Sequence, residues 1–171
     1  MSVSPVLCPL PIGERRLIDI LEDHTRESIE LRGFTQVVIV LVDHGSPFPE
    51  VTAVREWLGS GLARRFVGQT RVTQAVMERR KGRQYDFNGE LLENVIAAIG
   101  SEGRSSRIVL AMQFISPGRH AGERGDIANI IQRAMHHHPH VEVAASRLVS
   151  EHPVFADILW DRLNSVSVYY H

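Results

Sequence analysis

The 171-residue sequence predicts an α/β fold: a three-layer α/β/α unit around a four-stranded parallel sheet of flavodoxin-like order 2-1-3-4, with an N-terminal helix added. Two observations, joined by a rule of topology, predict it. From Thr35 onward, four β-rich runs (near 36–42, 71–77, 107–115 and 141–148) alternate with four helical ones (near 50–66, 88–100, 123–137 and 152–164). Such alternation favours a parallel sheet covered on both faces, and right-handed crossovers leave few strand orders open. Finally, the first and third β-rich runs are each followed by a loop rich in glycine and proline, as expected where the winding of a sheet reverses and ligands bind.

Taken in order, residues 1–12 carry Pro5, Pro9 and Pro11 and read as irregular. Leu17, Ile20, Leu21, His24, Ser28 and Leu31 then recur at helical spacing up to about Arg32. This helix is expected outside the main unit, so residues 1–34 read as an extension and 35–171 as a single α/β domain. The first strand is the run 37–42, followed by Asp43-His44-Gly45-Ser46-Pro47, and Pro49 suits the first turn of the next helix. The third strand is followed by Ser116-Pro117-Gly118-Arg119-His120-Ala121-Gly122. The histidine-rich stretch 136–140 falls where a helix should stop at Pro139 and reads as a solvated helix cap, with an accessory metal-loading patch as the alternative.

Composition excludes several classes. Nineteen basic against 20 acidic side chains argue against bulk nucleic-acid binding. Cys8 is the only cysteine, which excludes a disulfide framework and a cysteine-based metal site and favours a reducing cytoplasm. No apolar run approaches the roughly 18 residues that span a bilayer, so no membrane partner is expected. Dinucleotide, P-loop and nucleophile-elbow glycine motifs are absent. Trp57 and Trp160 read as core or dimer packing.

In the 2-1-3-4 order, strands one and three are neighbours, which brings His44 and His120 to one crevice. Imidazole holds Fe, Co, Ni or Zn and also accepts a proton near neutral pH. The competing account of His44 is a turn closed by a hydrogen bond to backbone. Glu78, at the end of strand two, is a third ligand or a general base, or else an ion-pair partner of Arg79 or Arg80. Asp43 either orients His44 or caps the turn. Asp126 either joins the site or pairs with a helix dipole. Arg79, Arg80, Lys81 and Arg83 share the strand-end rim with Arg119 and Arg124, and such a rim suits a polycarboxylate or phosphate ligand. His152, after strand four, either contacts that ligand or starts the last helix.

Val42-Asp43-His44-Gly45-Ser46-Pro47, with Phe114-Ile115-Ser116-Pro117-Gly118-Arg119-His120-Ala121-Gly122 and Gly125-Asp126-Ile127, resembles the CbiX/SirB family of sirohydrochlorin chelatases over about 36–163. The resemblance implies ATP-independent insertion of Co²⁺ or Fe²⁺ into sirohydrochlorin, toward cobalamin or sirohaem. His44 and His120 match the family's metal-binding histidines, and Glu78 matches its acidic position after the second strand. It further implies a homodimer and no tightly bound cofactor, the divalent metal (Co²⁺, Fe²⁺ or Ni²⁺) being a substrate. Ser46, Arg79, Arg80, Arg83, Arg119, Arg124 and His152 are then the expected contacts to sirohydrochlorin or a related anionic tetrapyrrole. The basic run after Glu78 and the N-terminal 34 residues depart from the minimal pattern. A non-catalytic metal- or tetrapyrrole-binding module is the competing function.

Overall fold

The computed structural model describes residues 14–102 and 106–167; the irregular segment expected over 1–12 lies outside them. Four strands, β1 (Val37–Asp43), β2 (Arg71–Val76), β3 (Ser106–Met112) and β4 (Val141–Ala145), form one parallel sheet in the order β2-β1-β3-β4, as predicted. The helices are α1 (Arg16–Arg32), α2 (Pro49–Arg65), α3 (Leu92–Gly100), the four-residue α4 (Gly118–Ala121), α5 (Asp126–His137) and α6 (Pro153–Ser167).

Strand β1 is buried on both faces, which its unbroken apolar run requires. Alternation of side chains then splits the run between two cores. Val40 and Val42 pack with Leu92, Ile96 and Ile99 of α3 and Ile127 and Ile130 of α5. Ile39 and Leu41 face Leu58 and Leu62 of α2, Ile158 of α6, and Ile18, Ile20 and Leu21 of α1.

That last contact corrects the expectation that α1 lies outside the main unit. Its apolar stripe completes the layer between α2 and α6 instead of standing apart from the sheet. Gly61 of α2 permits the close approach, since a Cβ there would come within 2.3 Å of Ile18 Cδ1. Burying side chains of this kind contributes roughly 1.5–3 kcal/mol each. The helix stops at Gly33 (φ 63°), whose N–H donates to the Glu30 carbonyl at 2.9 Å while that of Phe34 donates to the Ile29 carbonyl at 3.0 Å. This double bond pattern closes a helix when a left-handed residue follows it.

Several element boundaries differ from the sequence reading, among them β4, which ends at Ala145 and not near 148, and α6, which runs to Ser167 and not to 164; three differences have a clear local reason. Strand β3 ends at Met112 and not near 115: the Gln113 N–H still donates to the Val42 carbonyl at 2.9 Å, but the chain then leaves the sheet. The helix expected from 88 begins at Leu92, because 83–88 forms a 3₁₀ turn that Gly89 (φ 77°) breaks. The helix expected from 123 begins at Asp126, and the loop expected around His120 contains the separate turn of helix α4. Among the described residues, no helix is long and apolar enough to cross a membrane.

Candidate metal and tetrapyrrole site

The crevice at the carboxyl ends of β1, β2 and β3 is built from backbone outward. Beyond the sheet proper, the β1–β2 ladder continues through Met77 N–H to the Asp43 carbonyl (2.8 Å) and Glu78 N–H to the His44 carbonyl (3.1 Å). Glu78 is thereby set beside His44. Gly45 permits this approach: its φ is +90°, and a Cβ would sit 2.0 Å from the Glu78 carbonyl oxygen. On the other side, α4 lifts His120 out of the loop after β3 and toward His44.

The side chains meet. His44 Nε2 lies 3.3 Å from His120 Nε2 and 3.3 Å from Glu78 Oε1, with the imidazole rings near perpendicular at 73°. Both rings are partly open to solvent, His44 at 45% and His120 at 33%, so a ligand from outside can reach them. Taken with usual metal–imidazole distances of about 2.0–2.1 Å, the 3.3 Å separation corresponds to an angle of roughly 105–110° at one shared ion, close to tetrahedral. Among the described residues, no group of three or more His, Cys, Asp or Glu side chains is arranged to enclose a metal. The arrangement is therefore an open pair flanked by a carboxylate, a geometry suited to an ion in transit more than to a structural ion.

The far nitrogen of each ring is also engaged. His120 Nδ1 is 2.7 Å from Asp126 Oδ2, and His44 Nδ1 is 3.1 Å from the Gly45 carbonyl. Asp126 is the first residue of α5, so it stands at a helix N-terminus and at the same time against the His120 ring.

A family model described as CbiX matches residues 38–166. The chain belongs to the CbiX family. Among solved structures it is similar to SirB from Bacillus subtilis with Fe3+, at a TM-score of 0.59 and 16% identity over 85% of this chain and 53% of that one. The chain thus spans about half the length of that structure, and the likeness is one of fold. A comparison with curated proteins finds no match.

In this CbiX-family chain the loop carrying His44 is anchored by a buried network. Asp43 Oδ1 accepts from the Gly45 N–H and from Arg55 Nη1, each at 3.0 Å, so Asp43 caps the turn. Arg55 Nη2 donates to the Asn88 carbonyl at 2.7 Å; the Asn88 side chain in turn accepts from Ser46 N–H and donates to the Ser46 carbonyl, both at 2.9 Å. Burial pushes the Asp43 carboxyl up from its ordinary pKa, and the Arg55 guanidinium opposes that rise. Sequence reasoning missed Arg55 and Asn88. Arg55 did leave a signal: a charge three and seven residues before Leu58 and Leu62, on the apolar stripe of α2.

The basic rim divides. Arg79 is tied to its own loop, donating to the Gly89 carbonyl at 3.0 Å and lying 3.4 Å from Asp86. Arg80, Lys81, Arg83, Arg119 and Arg124 are exposed. Arg80 lies over the Tyr85 ring at 5.9 Å, and Arg119 is 3.8 Å from Asp126. Ser46 has its hydroxyl turned to the Phe48 N–H at 3.1 Å. His152 is not brought to the histidine pair. It accepts from the Val154 N–H at 3.3 Å, consistent with helix initiation, and its other nitrogen is 3.5 Å from Asp23 of α1. In the 136–140 stretch, His140 lies 2.8 Å from the carbonyl of Gly100, the last residue of α3, a contact to a different helix from the one the stretch ends.

Proposed function

We propose that this chain inserts a divalent metal ion, Co²⁺ or Fe²⁺, into sirohydrochlorin on the way to cobalamin or sirohaem, without ATP. The observation that carries the reading is the opposed Nε2 pair of His44 and His120 with Glu78 at its edge. Membership of the CbiX family and a fold shared with SirB, a protein solved with Fe3+, support the same chemistry.

Metallation requires an ion to be delivered to one face of the macrocycle while two ring N–H protons leave. In this reading the two imidazoles hold the ion, and as the ring nitrogens displace the imidazoles Glu78 takes one proton and a freed imidazole Nε2 takes the other. Holding ion and ring together lowers the entropic part of the barrier, and a placed base contributes about 10²–10⁴-fold. The macrocycle carboxylates pair with Arg80, Arg83, Arg119 and Arg124, while Ser46 and Arg79 shape the edge of the crevice and His152 serves α6. Imidazole and carboxylate discriminate poorly among Fe, Co and Ni, so the metal used follows cellular supply.

A homodimer fits the exposed apolar side chains of Ile115, Leu159, Trp160 and Leu163, since the SirB chain carries nearly as much sequence again beyond the matched part. A cytoplasmic setting suits a chain whose one cysteine is Cys8.

The test is turnover. The full chain, mixed anaerobically with sirohydrochlorin and Co²⁺, Fe²⁺ or Ni²⁺, is expected to complete many insertions per subunit, followed by the absorption change of the macrocycle. Stoichiometric uptake without turnover would make it a binding and delivery module instead.

A further inference from the structure

The two histidines face each other alike but are held unequally. His120 Nδ1 meets a carboxylate oxygen at 2.7 Å, whereas His44 Nδ1 meets a backbone carbonyl at 3.1 Å. Both partners accept hydrogen bonds, which favours an N–H at Nδ1 and a free Nε2 on each ring; at His44 the Glu78 carboxylate, 3.3 Å from Nε2, works against that tautomer. An anionic acceptor behind an imidazole fixes its tautomer and raises its strength as a ligand more than a neutral one does.

The support behind His120 is also rigid. Asp126 opens the 12-residue α5, which Ile127 and Ile130 fasten into the core. Gly125 is packed so closely that a Cβ on it would come within 2.5 Å of the His120 carbonyl oxygen. His44, by contrast, has Glu78 beside its Nε2 at 3.3 Å, a carboxylate that competes for whatever that nitrogen binds. Arg119 forms an exposed ion pair with Asp126 at 3.8 Å, too long for a hydrogen bond, so the direct hydrogen-bond contact of that carboxylate is with His120.

We propose that Asp126 is a positioning residue that makes His120 the anchoring ligand of the cargo ion, and that His44, backed only by a carbonyl and flanked by Glu78, is the ligand that lets go first. The proposal rests on the metal-insertion reading above and adds an order of release to it.

The experiment titrates the metal-free full chain with Co²⁺ anaerobically, reading the visible absorption of the ion, in wild type, Asp126→Asn, Asp126→Ala, His44→Ala and His120→Ala. Asp126→Ala is expected to weaken Co²⁺ about 10–100-fold, the range typical for loss of such a partner, with Asp126→Asn between it and wild type. His44→Ala is expected to keep more affinity than His120→Ala. Nitrogen-15 NMR of the imidazoles supplies a readout that a merely structural role would not move: His120 is expected as the Nδ1–H tautomer in wild type and to shift toward Nε2–H in Asp126→Ala. If Asp126→Ala fails to fold, Asp126→Asn carries the comparison. Wild-type affinity in a folded Asp126 variant, or an Nε2–H tautomer in wild type, overturns this proposal alone. A wild-type chain that binds no Co²⁺ overturns the metal reading together with it.

Discussion

His44 and His120 are 76 residues apart in sequence, yet their Nε2 atoms stand 3.3 Å from each other. The side-by-side pairing of β1 and β3 produces this meeting, since each histidine follows a strand whose neighbour leads to the other.

Replacing either histidine with alanine is expected to lower metal insertion by at least about 100-fold, because one imidazole cannot both hold the ion and orient it. The fold is expected to persist, since both rings are partly exposed, His44 on a loop and His120 on the short helix α4. Initial rates of insertion and circular dichroism check the pair, and a wild-type rate in either variant contradicts the paired-ligand model.

Gly45→Ala tests how Glu78 is held. The added Cβ meets the Glu78 carbonyl at 2.0 Å in a backbone conformation that alanine avoids, so a loss of roughly 1–3 kcal/mol in stability is expected, with a fall in insertion rate as Glu78 is pushed away. Urea unfolding and insertion assays measure both.

Arg55→Met is expected to cost about 3–5 kcal/mol, because Asp43 is left as a buried carboxylate without its partner. Loss of the Asn88 anchor should also loosen the His44 loop. Adding Asp43→Asn is expected to restore part of the stability, and purely additive losses in a double-mutant cycle would contradict the coupling.

The rim arginines separate by role. Arg80→Gln with Arg124→Gln is expected to raise the KM for sirohydrochlorin more than it lowers kcat, and to weaken the salt dependence of KM. Arg79→Gln should act mainly on local stability, since Arg79 binds Gly89 and Asp86. An unchanged KM in the double variant would make Arg80 and Arg124 ordinary solvated charges.

Stability is expected to depend on pH through His24. Its burial holds the imidazole pKa below the ordinary value, reinforced by Arg147 and His152 and opposed by Glu27, with Asp23 close to His152. The unfolded chain therefore takes up a proton more readily than the folded one. This contribution to stability is complete above about pH 6.5 and is lost as pH falls toward the folded-state pKa. Urea midpoints at pH 7.5 and 5.5 measure the loss, and His24→Leu is expected to lose less over the same interval.

Much of this was legible in the sequence. The four alternating strand and helix runs, the 2-1-3-4 order and the placement of His44, His120 and Glu78 at one rim follow from hydrophobic period, glycine and proline punctuation and the handedness of crossovers, which act over short stretches of chain or restrict topology as a whole. What escaped the sequence depends on which side chains meet. The apolar stripe of α1 has no address until the gap between α2 and α6 exists to receive it. Asp126 reads either as a site residue or as a helix-dipole partner, and Arg55 draws no reading at all, until the tertiary structure sets one against His120 and the other against Asp43. His152 sits at a strand-end rim by sequence, but α1 supplies Asp23 and draws it into another contact. Periodicity and turn chemistry are local, and they determine the elements and where the loops open. Hydrogen bonds between distant side chains reach only about 3 Å, and only the packed fold decides which donor finds which acceptor.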